Sequence, residues 1–533
     1  MRSFVHFRRR SREAVESLGL LLLLLVVTLR VIDIDDLGLW DEAFYLQRGI
    51  NQALGSGVPF ADGGSYFDLY WIISLAVDDP VTIYYIVRIF SAFALVLAAW
   101  ICVRLFTGPR LAWSISALVV LLPVTRSWPG VGNFGASLCL VAVAVAVRFW
   151  TAWAFVLSSS LAWIAAASRP EFLLVALMFT SVAVVASVRE HFGVNPFPVG
   201  RIRSFVLQGL TLVAVPIALI WRHGSPFSGD ERSWVAFSQH FALRNANSGE
   251  DSWFQSADVA ARFFGNVDSL TEAVTANPEA VVVHAVQNFL SIPLYLGASV
   301  VPAWWLDPAA TPLESVLIVI TLLVVFLALI TAFRGRMRQW LDPRIWVRGH
   351  GRRILLVVAS GLVALAPIVI IYPRTHYFGF LAVGLLSACF VALGRIRGAS
   401  PQRFMVFGTA SIVTLVVAVA GAVGAINSLA TSHPLLKSVV SVRGLDLQGQ
   451  ILSADRGISA YLPALQEVGP DDVASGDFDE FVSDTRVAAV LLNDRLLQSS
   501  LAGDSEFQIF ANDPAAYGFV APYMGSEIFV RNP

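Results

Sequence analysis

The run Leu18-Gly19-Leu20-Leu21-Leu22-Leu23-Leu24-Leu25-Val26-Val27-Thr28-Leu29, followed by Leu39-Trp40-Asp41-Glu42-Ala43-Phe44-Tyr45, decides the fold. Its first part follows Arg8-Arg9-Arg10 and precedes no small-residue cleavage site, so it reads as a retained membrane anchor. The second part sets a carboxylate pair at the start of an amphipathic helix, across the membrane from the N-terminus. Ala43, Leu46, Ile50 and Leu54 repeat at the spacing of one apolar helix face. Asp41, Tyr45, Arg48 and Gln52 fall on another face, where an acid, a phenol and a cation can point into one cleft. The plain alternative is that Asp41 N-caps an interfacial helix.

Composition sets the class. The 533-residue chain is 56% hydrophobic and 14% charged, with a mean hydropathy of +0.68, which is the make-up of an integral membrane protein. A net charge of -1 provides no field to recruit nucleic acid. Cys102, Cys139 and Cys389 each lie inside an apolar segment, which argues against a disulfide framework or a metal cluster.

Apolar runs near the ~20 residues needed to cross a bilayer recur at 17–33, 83–105, 111–127, 134–150, 152–167, 171–188, 204–221, 313–333, 354–372, 377–394 and 404–427. The reading is an all-α polytopic membrane protein of about eleven transmembrane helices, with its termini on opposite sides. Arg2, Arg8 to Arg10 and Arg12, then Arg104 and Arg110, Arg189 to Arg203, Arg334 to Arg353 and Arg395 to Arg403 all fall on one side under this count. By the positive-inside rule that side is cytoplasmic, and the C-terminus lies outside. Segment 284–306, with Pro293, Pro302 and Trp304-Trp305, reads as interfacial or re-entrant, because a span there would carry the 334–353 arginines outward. Segment 151–167, abutting Arg169-Pro170-Glu171, reads as a tight hairpin with the next span.

The chain divides into a transmembrane domain over 1–430, with outer loops at 34–82 and 222–312, and a small extracytoplasmic α/β domain over 431–533. In the latter, 450–455, 487–492 and 527–530 read as strands, and 458–467 and 478–486 as helices. No glycine-rich phosphate loop appears there, so a structural or acceptor-guiding role is expected of it.

Charges are scarce in mid-span and gather at outer span ends: Asp41, Glu42, Asp62, Asp68, Asp78, Asp79, Arg88, Arg126, Arg169, Glu171, Arg222, Arg374 and His376. An ion pump places acids or histidines near the midplane instead. A surface cleft of mixed charge suits an amphiphilic substrate with its head group outside and its tail in lipid. Arginines at that level hold a phosphate by forked hydrogen bonds, or simply snorkel to lipid head groups.

These residues resemble the GT-C membrane glycosyltransferases that use polyprenyl-phosphate sugars, most of all the protein O-mannosyltransferases, the lipid A aminoarabinose transferases and the Rgt-type transferases. The likeness rests on Asp41-Glu42-Ala43-Phe44-Tyr45 opening the first outer loop. It rests also on Tyr66-Phe67-Asp68-Leu69-Tyr70-Trp71 followed by Val87-Arg88-Ile89-Phe90-Ser91-Ala92. Arg169-Pro170-Glu171 and Tyr372-Pro373-Arg374-Thr375-His376-Tyr377 complete it. Ser65-Tyr66-Phe67-Asp68 departs from it, standing where relatives often carry Lys or His before a Pro-Pro pair.

What the resemblance implies is inverting transfer of a hexose or pentose from a lipid-phosphate donor on the outer face of the plasma (inner) membrane, to a glycan, lipid or protein acceptor. Asp41 matches the family's catalytic acid and would act as general base, with Glu42 beside it. Arg88, Arg169, Arg374 and His376 are the candidate ligands of the donor phosphate. Tyr45, Arg48 and Asp68 are the candidate lining of the substrate cleft. Asp68 is a second acid, a metal ligand or a helix cap. No cofactor is expected beyond the donor itself; metal-independent transfer is favoured, and a divalent metal stays open. A lipid-linked-sugar transporter, a glycan ligase or polymerase working through 222–312, and a non-catalytic scaffold are the alternatives.

Overall fold

The computed structural model describes residues 2–34, 36–52, 58–126, 130–192, 199–227, 230–247, 252, 255–300, 351–394, 433–445, 447–473, 478–484, 486–523 and 525–532. The expected spans 313–333 and 404–427 lie outside the described residues. Helix α1 (Arg2–Ile34) contains the anchor run, and α2 (Asp41–Ile50), α3 (Gly64–Ser74) and α4 (Pro80–Arg104) follow it. Next come α5 (Pro109–Leu121), the four-residue α6 (Pro123–Arg126), α7 (Val131–Phe149), α8 (Ala152–Ser168), α9 (Leu173–Phe192) and α10 (Val199–His223). Three shorter helices, α11 (Asp230–Asn245), α12 (Ser256–Phe264) and α13 (Leu270–Ala276), lead to α14 (Pro278–Val300), α15 (Gly351–Ile370) and α16 (Gly379–Gly394). Among the described residues seven helices are long and apolar enough to cross a membrane, so the chain is that of a multi-pass membrane protein.

Two prolines bear on the expected segments. Of 284–306, read as interfacial or re-entrant, residues 301–306 lie outside the described residues, and over the rest Pro293 does not interrupt the helix. It sits inside α14, a continuous 23-residue helix apolar enough to cross. A proline removes one backbone donor, a loss that membrane helices tolerate. Pro123, in contrast, ends the expected 111–127 span early. Leu122, the residue before it, is extended (φ -69, ψ 141), as sterics with the proline ring require, and α5 stops after 13 residues. The chain folds as two compact units, one of Met1–Val27, Ala53–Tyr66 and Phe90–Ala420, the other of Thr28–Gln52, Phe67–Ile89 and Gly421–Pro533.

In the first unit, small residues let helices approach closely, as they must where lipid competes with side chains for apolar contact. Ser158 Oγ donates to Ala142 O at 2.6 Å, Ser159 and Thr180 share a 2.8 Å bond, and Trp163 Nε1 donates to Thr180 Oγ1 at 3.0 Å. The last two contacts make α8 and α9 the expected hairpin. The flanking helices α10 and α14 present Leu210, Trp221, Leu290 and Leu294 outward. At one end of this bundle Arg104 pairs with Glu16 (3.2 Å), Arg148 donates to Leu105 O (2.8 Å) and Arg353 covers the Trp150 ring. At the opposite ends of α8 and α15 lie Arg169 and Arg374.

The second unit holds α2 and a five-stranded sheet of β1 (Gly449–Leu452), β2 (Leu465–Val468), β3 (Val487–Leu491), β4 (Phe519–Val520) and β5 (Ile528–Arg531) in the order β2-β1-β3-β5-β4. Strand β1 runs parallel to β2 and β3, and β5 antiparallel to β3 and β4. The core under the sheet is built by Leu452, Val490, Phe478, Phe507, Phe510 and Phe519. The expected helix at 458–467 is instead a single 3-10 turn, Ile458–Ala460, followed by strand β2. The pairing of Leu465 to Val468 with β1 outweighs its local helical pattern. The helix α17 (Pro434–Arg443) starts with the backbone N–H groups of Leu435 and Leu436 donating to the Asp36 carboxylate at 3.0 and 2.9 Å. A residue remote in sequence thus satisfies donors that a helix start leaves open.

Candidate active site

Two adjacent carboxylates meet opposite fates. The N-cap of α2 is Trp40, with a φ of 57 and no side-chain capping bond, so Asp41 is the first helical residue and does not cap. Helical spacing turns Glu42, Ala43, Tyr45, Leu46 and Gly49 inward. Glu42 is 1% exposed, accepts a hydrogen bond from Tyr70 Oη at 2.9 Å and lies 3.6 Å from Arg88 Nη1. A charge so deeply buried requires this partnering. Burial and then the Glu42 charge push the Tyr461 phenol well above its ordinary value, and its hydroxyl donates to Gly38 O at 2.6 Å. Asp41 is exposed and takes no hydrogen bond or ion pair through its side chain among the described residues.

The four residues expected to share one cleft do not. Tyr45 is buried edge-on against Phe67, with ring centroids 5.0 Å apart, and Arg48 lies outside over the Phe44 ring at 4.5 Å. Helix α2 ends at Ile50, so Gln52 leaves its face, turns inward and donates to Asp68 Oδ1 at 2.8 Å. Asp68 sits inside α3 and so does not cap it. Arg88, expected at a phosphate, is 3% exposed beside Glu42.

The other expected cations gather in the first unit, where α8 ends, α9 begins, α15 ends and α16 begins. Arg169 is held 3.7 Å from Glu171 Oε2 and lies over the Tyr377 ring at 5.0 Å. His376 is buried beside Tyr377, with ring centroids 4.2 Å apart. Gly132 makes room for this turn, since a Cβ there would come within 2.9 Å of His376 O. Arg169, Glu171, His376 and Tyr377 line a cavity of ≈ 20 Å³, room for about one water molecule. Admission of a phosphate therefore requires these side chains to part. Among the described residues no group of three His, Cys, Asp or Glu is placed to hold a metal ion.

Three further residues join this end and were not singled out from sequence: His240 and Arg244 on α11, and Tyr295 on α14. The His240 ring stacks on Tyr372 (5.2 Å, 22° between planes), Arg244 lies 5.1 Å over the same ring, and Tyr295 and Tyr372 share a 2.8 Å hydroxyl bond. Burial and then the Arg374 charge lower the His240 imidazole to about 4. The signal was the i, i+4 spacing of His240 and Arg244 on one helix face.

No protein-family model matches the chain, and no curated protein matches it. Among solved structures, the chain is similar to the archaeal oligosaccharyltransferase AglB from Archaeoglobus fulgidus in complex with an inhibitory peptide and a dolichol-phosphate. That likeness has a TM-score of 0.40 and 10% identity, and covers 89% of this chain and 69% of that one. The Archaeoglobus fulgidus oligosaccharyltransferase in its apo form gives 0.40 and 13% identity over 91% and 70% of the two chains. Its complex with Zn and sulfate gives 0.38 and 13% over 89% and 67%.

Proposed function

We propose that this protein is a GT-C-type inverting glycosyltransferase that moves a sugar from a polyprenyl-phosphate donor to an acceptor hydroxyl on the outer face of the membrane. The observation that carries the reading is the division of labour at the carboxylate pair. Glu42 is consumed by Arg88 and Tyr70, and Asp41 is held exposed at a helix start beside it. Asp41 takes the acceptor proton as the acceptor oxygen attacks the anomeric carbon. The bond from that carbon to the donor phosphate breaks, and the lipid phosphate leaves with the electron pair. One displacement inverts the centre. Arg169 and Arg374 of the first unit, with His376 as a further donor, are the candidate ligands of a donor phosphate. Arg88 works indirectly, as the partner that keeps Glu42 in place.

The test is Asp41→Asn in the full chain, assayed with a polyprenyl-phosphate sugar. Loss of roughly 10²–10⁴-fold in rate, with expression and melting unchanged, supports the reading, and undiminished transfer overturns it.

A further inference from the structure

The C-terminal α/β domain holds its own kind of binding crevice, and the chain itself fills it. In open sheets with parallel strands, ligands bind beyond the carboxyl ends of the strands where the strand order reverses. Here that point lies between β1 and β3, whose ends lead into Ser453 to Gly457 and Leu492 to Arg495. The occupant is Trp40. Its indole Nε1 donates to Asp455 Oδ1 at 2.7 Å, and its backbone N–H donates to Arg456 O at 2.8 Å. The Arg495 guanidinium covers the indole at 4.9 Å. Asp455 is 6% exposed and is itself fixed by Asn493 Nδ2 (2.7 Å) and Arg495 Nε (3.2 Å). Gly457, at φ +99, packs on Ala43 so closely that a Cβ there would come within 2.3 Å of the Ala43 Cβ.

We infer that this domain is a clamp on the start of α2, with Asp455 as a positioning residue for Asp41 acting through Trp40. This rests on the reading of Asp41 as the base. Trp40 has a φ of 57, a backbone state that non-glycine residues rarely adopt. Such a state persists only where surroundings over-determine it, and the crevice of β1 and β3 supplies those surroundings. The clamp sets where α2 begins and so where the Asp41 carboxylate points.

The experiment uses the full chain in lipid nanodiscs and two variants, Asp455→Ala and Trp40→Phe. The second keeps an aromatic ring, lacks the indole donor and leaves the sheet intact if the first unfolds it. Amide hydrogen exchange over 38–50 is expected to rise about tenfold in each. The turnover number is expected to fall up to roughly 10²-fold, with the donor KM unchanged and the double variant no worse than the poorer single one. Unchanged exchange in both variants overturns the clamp. Raised exchange with full turnover, where Asp41→Asn is inactive, overturns the positioning role. Transfer that survives Asp41→Asn overturns the catalytic reading alone, and exchange still decides the clamp.

Discussion

The carboxylate corner around Glu42 and the cationic end around Arg169 handle charge in opposite ways. Around Glu42 each buried charge has an internal counterpart: Glu42 has Arg88, and Asp455 has Arg495 and the Trp40 indole. Around Arg169 the cations Arg169, Arg244 and Arg374 gather near Glu171, and the faces of Arg169 and Arg244 rest on Tyr377 and Tyr372. Rings stabilise a cation without neutralising it, so this end sets cations on aromatic faces. The first arrangement fixes one carboxylate beside another. The second gathers cations where helices end.

The largest expected effect breaks the balance in the first region. Arg88→Ala strands Glu42 in the interior and should cost about 3–5 kcal/mol of stability, read by thermal unfolding in detergent. A loss under about 1 kcal/mol, the range of an exposed pair, would mean that Glu42 is not desolvated as described.

A second test titrates the other region. His240 is held near 4 when folded, against an ordinary 6.5, so the unfolded chain binds the extra proton between those values. Stability therefore rises with pH through that window and is lost as pH falls from 6.5 toward 4, by about 3 kcal/mol from this group. His240→Gln should flatten that slope; an unchanged slope would show that His240 is not buried beside Arg374.

The third and smallest change sharpens the contrast. Arg374→Ala should remove a charge-assisted bond to phosphate, about 1.5–3 kcal/mol, and raise the donor KM accordingly, while Arg374→Lys recovers part of it. An unaltered KM would leave Arg374 as a structural cation with no part in holding the donor.

Much of this was legible in the sequence, for physical reasons that are local. Helices such as α4, α7 and α10 follow from uninterrupted apolar length, and α2 follows from its 3.6-residue period. The failures are also instructive. Pro123 and Pro293 carry the same covalent constraint, yet one ends a helix and the other is absorbed by it, because tertiary packing decides whether the lost backbone bond matters. Leu465 to Val468 reads as the end of a helix until β1 offers it a parallel partner.

By itself, the sequence determined that this is a multi-pass membrane protein, that the Asp41-Glu42 pair opens an amphipathic helix, and that arginines and a histidine flank later spans. Those are properties of composition and period. Only the tertiary structure decided which carboxylate is free. Asp41 and Glu42 are chemically close and adjacent, but 100° of helical rotation sends Glu42 inward to Arg88 and Tyr70 and leaves Asp41 outside. The unusual backbone of Trp40, held by Asp455 from over 400 residues away, fixes where that rotation begins.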